Sequence, residues 1–185
     1  MTPWSQSKIL EHSVEHYGAV RPSIPTGALM FTSGSYFVSR TIRYFTKSPW
    51  SHVGFLVWIE GRLLVLESVE DHGVRFAPLS RYLTDYRGLI VVAVPDLNAL
   101  QVKHSIGYAI DRLTTPYGYG QMAAILARIV TGFQRGPSST GLICSELVGE
   151  SLAAAGFFVK PSVADYATPE DVWCDPRVKY IARLK

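Results

Sequence analysis

Two stretches of the chain are apolar at nearly every position and are separated by only three residues. Residues 52–59 read HVGFLVWI and residues 63–69 read LLVLESV, and both are rich in the β-branched and aromatic residues that favour strands. A strand that is apolar on both faces is typical of the interior of a sheet. Glu60 and Gly61 between them suit a tight turn. The pattern therefore predicts a hairpin in the middle of a sheet.

The remaining apolar runs predict an α+β domain around this hairpin. Further strands are predicted at residues 28–31, 73–79, 89–94 and 180–182, and helices at residues 5–17, 35–45, 95–113 and 122–130. A short helix is predicted to open at Thr168, a good N-cap residue that is followed by a proline. In the helix over 95–113, the residues expected to face inward are Val102, Ile106, Ala109, Ile110 and Leu113.

A further amphipathic helix is predicted to begin at Cys144. Apolar or small residues follow it at the i+3, i+4 and i+7 positions, and Gly156 is expected to end the helix. The first turn of a helix has unpaired N–H groups and a partial positive charge, which favour a nucleophilic thiolate. The alternative is that Cys144 is only a small buried residue at the start of a core helix.

The hairpin brings a histidine and a glutamate together. With a two-residue turn after Ile59, Gly54 lies opposite Glu67, and His52 becomes the diagonal neighbour of Glu67 on the same face. Charged groups within apolar strands need partners. Either the two side chains satisfy each other structurally, or the carboxylate orients an imidazole that acts as a general base. A turn one residue longer would put Glu67 on the other face.

Composition limits the class of protein. The 185 residues are 48% hydrophobic and 18% charged, which favours one ordered domain spanning residues 1–185. A net charge of +3 without a long basic run gives no indication of nucleic-acid binding. Two cysteines make no disulfide framework. No run of 18 apolar residues and no signal-peptide core is present, so we expect a cytoplasmic protein without an integral membrane segment.

One short motif is compatible with a metal site. Residues 12–16 read HSVEH, the H-x-x-E-H pattern of inverted zinc peptidases, in which two imidazoles one helical turn apart share a zinc ion. In the predicted helix, however, His12 and His16 lie opposite the apolar stripe formed by Leu10 and Val14. We therefore expect no metal and no cofactor, and a zinc peptidase is the least favoured interpretation.

Four motifs in one order resemble a known family. The chain contains WSHVG at 50–54, LES at 66–68, ICSELV at 143–148 and TPED at 168–171. This order resembles the circularly permuted NlpC-type cysteine hydrolases, the YiiX/YaeF-like branch of the papain-like superfamily, over about residues 27–171. In ordinary papain-like enzymes the cysteine helix precedes the histidine strand, and here it follows. The resemblance implies a permuted papain-like fold with a central antiparallel sheet packed against helices.

The resemblance also implies roles for individual residues. Cys144 would be the nucleophile, His52 the general base and Glu67 the third member of the triad. His72, just after the second hairpin strand, is the competing base, although its polar turn context disfavours it. Cys174 follows Trp173 near the end of a short predicted helix, without an array of donors, and we expect it to be unreactive.

Two aromatic residues are predicted to contact substrate. Tyr117 matches a tyrosine that the family places near the site, although Gly118 stands where an aspartate is common. Trp50 lies beside the histidine motif and would suit an apolar substrate group. Aromatic residues of this kind are more often part of the core. A larger set of them would also suit an acyl groove: Trp50, Phe55, Trp58 and Phe133.

Members of this family are thought to cleave amide bonds in cell-wall or small peptides, and relatives in the wider superfamily move acyl groups on lipids. We therefore predict a cysteine hydrolase, of peptidase or amidase type, that acts on a small peptide, peptidoglycan-like or acyl substrate. One alternative is a lipid acyl hydrolase or acyltransferase. The other is a binding module on an inactive scaffold, against which the complete Cys, His and Glu set argues.

Overall fold

The computed structural model describes residues 12–34, 48–120, 141–161 and 167–185. The strands are β1 (Ala28–Gly34), β2 (His52–Ile59), β3 (Arg62–Val69), β4 (Gly73–Pro78), β5 (Gly88–Pro95) and β6 (Val178–Arg183). The helices are α1 (Tyr17–Val20), which a 3-10 turn (Arg21–Ser23) follows, α2 (Leu79–Asp85), α3 (Ala99–Ile110), α4 (Cys144–Ala154) and α5 (Pro169–Cys174). The helices predicted at 35–45 and 122–130 lie outside the described residues.

The strands form one antiparallel sheet in the order β4-β3-β2-β1-β5-β6. The predicted hairpin is confirmed: Ile59 pairs with Arg62, and the turn residues Glu60 and Gly61 both have positive φ, at 46° and 69°. Such a turn matches the right-handed twist of the strands it joins. β2 and β3 are both inner strands, which explains why they are apolar on both faces. The α+β architecture is as predicted.

Each face of the sheet has its own apolar core, because successive side chains of a strand point to opposite faces. On one side, Phe55 and Leu66 pack in a cluster that contains Leu147 and Val148 of α4. We call this the α4 face. On the other side, Leu56 and Val65 pack in a cluster that contains Leu79 of α2. We call this the α2 face. The sheet therefore separates α4 from α2.

The helix predicted at 95–113 is shorter than expected. β5 continues through Pro95, which pairs with Val178, so the helix cannot begin there. It begins after Asn98, whose side chain accepts a hydrogen bond of 3.0 Å from the backbone N–H of Gln101. Ile110, expected to face inward, is 40% exposed because it is the last residue of the helix.

The helix predicted at 5–17 is wrong over residues 12–16, the part that the structure describes, because this segment runs along the end of β6. The backbone N–H of Glu15 donates to the carbonyl of Arg183 at 2.8 Å, and the Arg183 guanidinium donates to the carbonyl of His12 at 3.0 Å. The helical spacing that would bring His12 and His16 onto one metal is therefore not formed. Within the described ranges, no helix has both the length and the apolarity needed to cross a membrane.

Candidate active site

Cys144 is the first residue of α4, as predicted, and its approach segment is held by backbone contacts. The carbonyl of Leu142 accepts hydrogen bonds from the Ser68 hydroxyl of β3 at 2.6 Å and from the backbone N–H of Gly118 at 3.2 Å. The N–H of Leu142 donates to the carbonyl of Pro116 at 3.0 Å. These bonds join three distant segments of the chain. They fix the position of Cys144 at the start of α4.

The segment that leads into α4, residues 141–143, requires glycine at position 141. A Cβ atom there would lie 2.7 Å from the carbonyl oxygens of Pro116 and Tyr117, which is too close for any side chain. This contact explains the glycine that precedes the cysteine motif. It also brings Tyr117 beside the start of α4, where it forms a bridge with Leu142.

His52, the first residue of β2, reaches Glu67 of β3. Its Nε2–H donates to Glu67 Oε2 at 2.8 Å, because an ionised carboxylate can only accept. The Glu67 side chain is completely buried. Gly54 leaves the space between them, since a Cβ there would lie 3.1 Å from the Cβ of Glu67. The diagonal pairing predicted from the hairpin register is therefore present.

His52 also interacts with Cys144. Burial by itself disfavours a charged imidazole, but the negative charge of the Cys144 thiolate and a hydrogen bond to it, followed by the contacts with Glu67, raise the pKa of His52 to about 10. Since Nε2 is bonded to Glu67, Nδ1 is the ring nitrogen left for Cys144. The structure thus brings three of the predicted residues together, with the imidazole of His52 between the Cys144 thiol and the Glu67 carboxylate.

Glu67 has two further partners that the sequence analysis missed. Arg75 lies directly opposite it on β4 and donates from Nε to Oε1 at 3.2 Å, and the Tyr82 hydroxyl of α2 donates to Oε2. Burial opposes ionisation of this carboxyl, but the hydrogen bond from His52, its charge and then the Tyr82 and Arg75 contacts lower the pKa of Glu67. Extending the register from β3 to β4 would have placed Arg75 opposite Glu67. No sequence pattern indicates Tyr82.

The two predicted substrate residues lie in different surroundings. Tyr117 is half-buried, its ring is 5.1 Å from that of Tyr119, and burial followed by the nearby Cys144 charge raises its pKa. Trp50 has no exposed surface and packs with Phe31 and Trp173, with ring centroids at 5.5 and 4.8 Å. The structure thus gives Trp50 a packing role, and its contact with substrate stays a prediction.

The competing residues lie apart from this cluster. His72 is exposed in the β3–β4 turn, where its Nδ1 is 3.3 Å from the carbonyl of Glu70. Cys174 at the end of α5 contacts Glu170 Oε1 at 3.3 Å, and burial followed by the Glu170 charge raises the pKa of its thiol to about 12. Among the residues that the structure describes, no group of three or more His, Cys, Asp or Glu side chains is placed to hold a metal ion.

Comparison with known proteins identifies the family and the fold. A family model described as permuted papain-like amidase enzyme, YaeF/YiiX, C92 family, matches residues 23–182. The crystal structure of YiiX from Escherichia coli O157:H7, described as a metalloprotein, superposes with a TM-score of 0.56 at 21% identity, over 85% of this chain and 96% of that chain. At this identity the likeness shows the fold alone. No curated protein matches the chain.

The family match begins at Ser23, the last residue of the 3-10 turn after α1, and ends at Ala182 within β6, so it covers β1 to β5, most of β6 and the cysteine helix. The order of elements, with the histidine strand before the cysteine helix, is that of a permuted papain-like fold. The chain belongs to the permuted papain-like amidases of the YaeF/YiiX family and is a cysteine hydrolase of the amidase and peptidase class.

Proposed function

We propose that the protein cleaves an amide bond with Cys144 as nucleophile, His52 as general acid and base, and Glu67 as the group that orients His52. The observation that carries this proposal is the position of the imidazole, which interacts with the thiol on one side and is 2.8 Å from the carboxylate on the other. This is the arrangement of a nucleophile, its base and the orienting group that covalent catalysis requires.

In the acylation step, the Cys144 thiolate attacks the carbonyl carbon, and the carbonyl electron pair moves onto oxygen. The backbone N–H of Cys144 is among those that a helix leaves without an intrahelical partner, so it is free to donate to this oxyanion. The oxyanion then collapses, the C–N bond breaks, and Nδ1–H of His52 protonates the departing nitrogen. The products are a free amine and a thioester on Cys144.

In the deacylation step, the neutral His52 accepts a proton from water as the water attacks the thioester carbonyl. The C–S bond breaks, the carboxylic acid leaves, and the thiolate–imidazolium pair forms again. Glu67 keeps the imidazole in one tautomer and stabilises its positive charge during both steps. Its complete burial excludes water from this contact.

For the substrate we propose a small peptide or peptidoglycan-like amide that contacts the aromatic pair of Tyr117 and Tyr119. Tyr117 lies next to the start of α4, and Tyr119 is 55% exposed. A lipid acyl group has less support, because Trp50 and Phe55 are completely buried and have no surface to offer it, and Phe133 lies outside the described residues. The E. coli YiiX is described as a metalloprotein, whereas the steps proposed here are carried by the described side chains of Cys144, His52 and Glu67.

The test is labelling with a library of acyl electrophiles at pH 6–7, followed by mass mapping of the modified residue. We expect Cys144 to be modified in the wild type and in Cys174→Ala, and labelling to disappear in Cys144→Ala. Modification of Cys174 instead would overturn the assignment. The amides that label best then define a panel of peptide substrates, with matched lipid esters as the competing class.

A further inference from the structure

We propose that Arg75 and Tyr82 are positioning residues for the reaction: together they keep Glu67 ionised and fix the oxygen that faces His52. The inference rests on the proposed function, since it assumes that Glu67 orients the base. Neither residue belongs to the triad, and neither was indicated by the family motifs. Both act through Glu67 and not on the substrate.

The first argument is the electrostatics of a buried carboxylate. A charge without exposed surface is strongly disfavoured unless several groups compensate it. His52 supplies one positive charge, but this charge must move during catalysis, because the imidazole gives its proton to the leaving group. Arg75 is the compensating charge that stays throughout the cycle. Its Nε is 3.2 Å from Glu67 Oε1, the oxygen that His52 does not use.

The second argument is geometry. His52 and the Tyr82 hydroxyl both donate to Oε2, while Arg75 donates to Oε1, so the carboxylate is held at both ends and cannot rotate. Burial followed by the charge of Glu67 raises the pKa of Tyr82 well above its usual range, so its hydroxyl stays a donor throughout the working pH range. Arg75 thus provides the charge, and Tyr82 provides the direction.

The third argument is location. Arg75 and Tyr82 line a pocket of about 210 Å³ formed by β4, α2 and the residue after α2, together with Ala77, Arg81, Asp85 and Tyr86. No residue of the triad lines this pocket, and Tyr82 packs against the core of the α2 face, whereas α4 packs on the opposite face. Since both residues reach Cys144 only through Glu67 and His52, we expect a substrate bound at Cys144 not to contact the pair. Removing either residue should lower kcat and leave KM unchanged.

The experiment compares Arg75→Gln, Arg75→Lys and Tyr82→Phe with Arg81→Gln, a control in the same pocket that leaves the charge beside Glu67 in place. The readouts are kcat, KM and the pH dependence of Cys144 alkylation by iodoacetamide. Without Arg75, Glu67 takes up a proton at higher pH and holds the imidazolium less well. The acid limb of the alkylation profile should therefore move to higher pH, and kcat should fall about 10²-fold, the effect of losing a buried charged hydrogen bond.

The other variants should lower kcat by smaller factors than Arg75→Gln. Arg75→Lys should restore part of the rate, and Tyr82→Phe should lower kcat about 10-fold, the lower end of the range for a hydrogen bond to a charged group. If Arg75→Gln does not fold, Tyr82→Phe decides alone, since it removes only one oxygen. The inference is wrong if kcat and the acid limb of Tyr82→Phe match those of Arg81→Gln. It is the proposed triad that fails, and not only this inference, if His52→Ala keeps full thiol reactivity.

Discussion

The two faces of the sheet hold the two halves of the candidate site in different ways. On the α4 face, the nucleophile is placed mainly by backbone groups: Leu142 bonds to the backbone of Pro116 and Gly118, with one further bond from the Ser68 hydroxyl, and the Leu147 and Val148 side chains are buried beneath α4. On the α2 face, the carboxylate is placed by side chains alone, each of which donates to one Glu67 oxygen.

The difference determines whether activity can be lost without loss of the fold. A backbone frame cannot be changed without changing the fold, so position and stability are lost together on the α4 face. A set of side-chain donors can be altered one at a time, so charge and orientation on the α2 face can change while the fold persists. We expect substitutions on the two faces to differ in the same way.

The largest expected effect is on activity without loss of fold. His52→Ala should lower turnover and Cys144 alkylation about 10³- to 10⁴-fold, the upper range for removal of a general acid and base. Glu67 keeps Arg75 and Tyr82 as donors, so its buried charge stays compensated and the fold should persist.

His72→Ala is the matched control for this change, because it removes an exposed imidazole from the neighbouring turn. Turnover, alkylation rate and circular dichroism would be measured on both variants. A thiol that stays reactive at low pH in His52→Ala but not in His72→Ala would make His72 the base. Glu67 and its side-chain donors would then have no part in placing the base.

The next largest effect is a combined loss of stability and activity on the α4 face. Gly141→Ala forces a methyl group to within 2.7 Å of the Pro116 and Tyr117 carbonyl oxygens. Overpacking of this kind costs about 1–3 kcal/mol of unfolding free energy. Because the same contact sets the approach to Cys144, turnover should fall with it.

Gly107→Ala is the control, since a Cβ at this position in α3 meets no atom within 4 Å. It should raise the free energy of unfolding by about 0.5–1 kcal/mol through helix propensity. Denaturant unfolding and turnover would be measured for both. A Gly141→Ala protein with normal stability but no activity would show that the frame and the fold are separable on this face.

The smallest effect is the pH dependence of stability. The pKa of His52 is about 10 in the folded state and 6.5 ordinarily, so its stabilising contribution is complete below pH 6.5, declines as the pH rises and is lost above about 10. The pKa of Glu67 is lowered, so its contribution is present above its ordinary value of 4.5 and declines as the pH falls.

The melting temperature of the wild type should therefore exceed that of His52→Gln by more at pH 6 than at pH 9. In a Cys144→Ala background this change with pH should shrink, because the thiolate is the strongest of the influences that raise the pKa of His52. A difference between wild type and His52→Gln that grows from pH 6 to pH 9 would contradict the assigned charges.

The sequence predicted those parts of the fold and site that follow from local pattern. Alternation and turn chemistry place β2 and β3 in register, so the contact between His52 and Glu67 could be expected. Helical periodicity places Cys144 at the start of α4. The family resemblance added the order of the motifs and the roles of the residues.

What the sequence could not predict depends on partners that are distant in the chain. Residues 12–16 have a helical pattern but do not form a helix, because bonds from this segment go to the end of β6. Trp50 is an aromatic residue beside His52 and was therefore predicted to contact substrate. It lies in the core, because it packs against Phe31 and Trp173. Tyr82 reaches Glu67 only through the packing of α2, which no local pattern records.

The bond between Ser68 and Leu142 closes a loop of 74 residues. In terms of folding, the β2–β3 hairpin and α4 each form from near neighbours, but this bond must wait until two distant segments meet, and the entropy of closing so long a loop has to be offset first. We therefore expect the nucleophile's surroundings to assemble late in folding. On this expectation, the thiol gains its base only in a chain whose sheet and α4 are already in place.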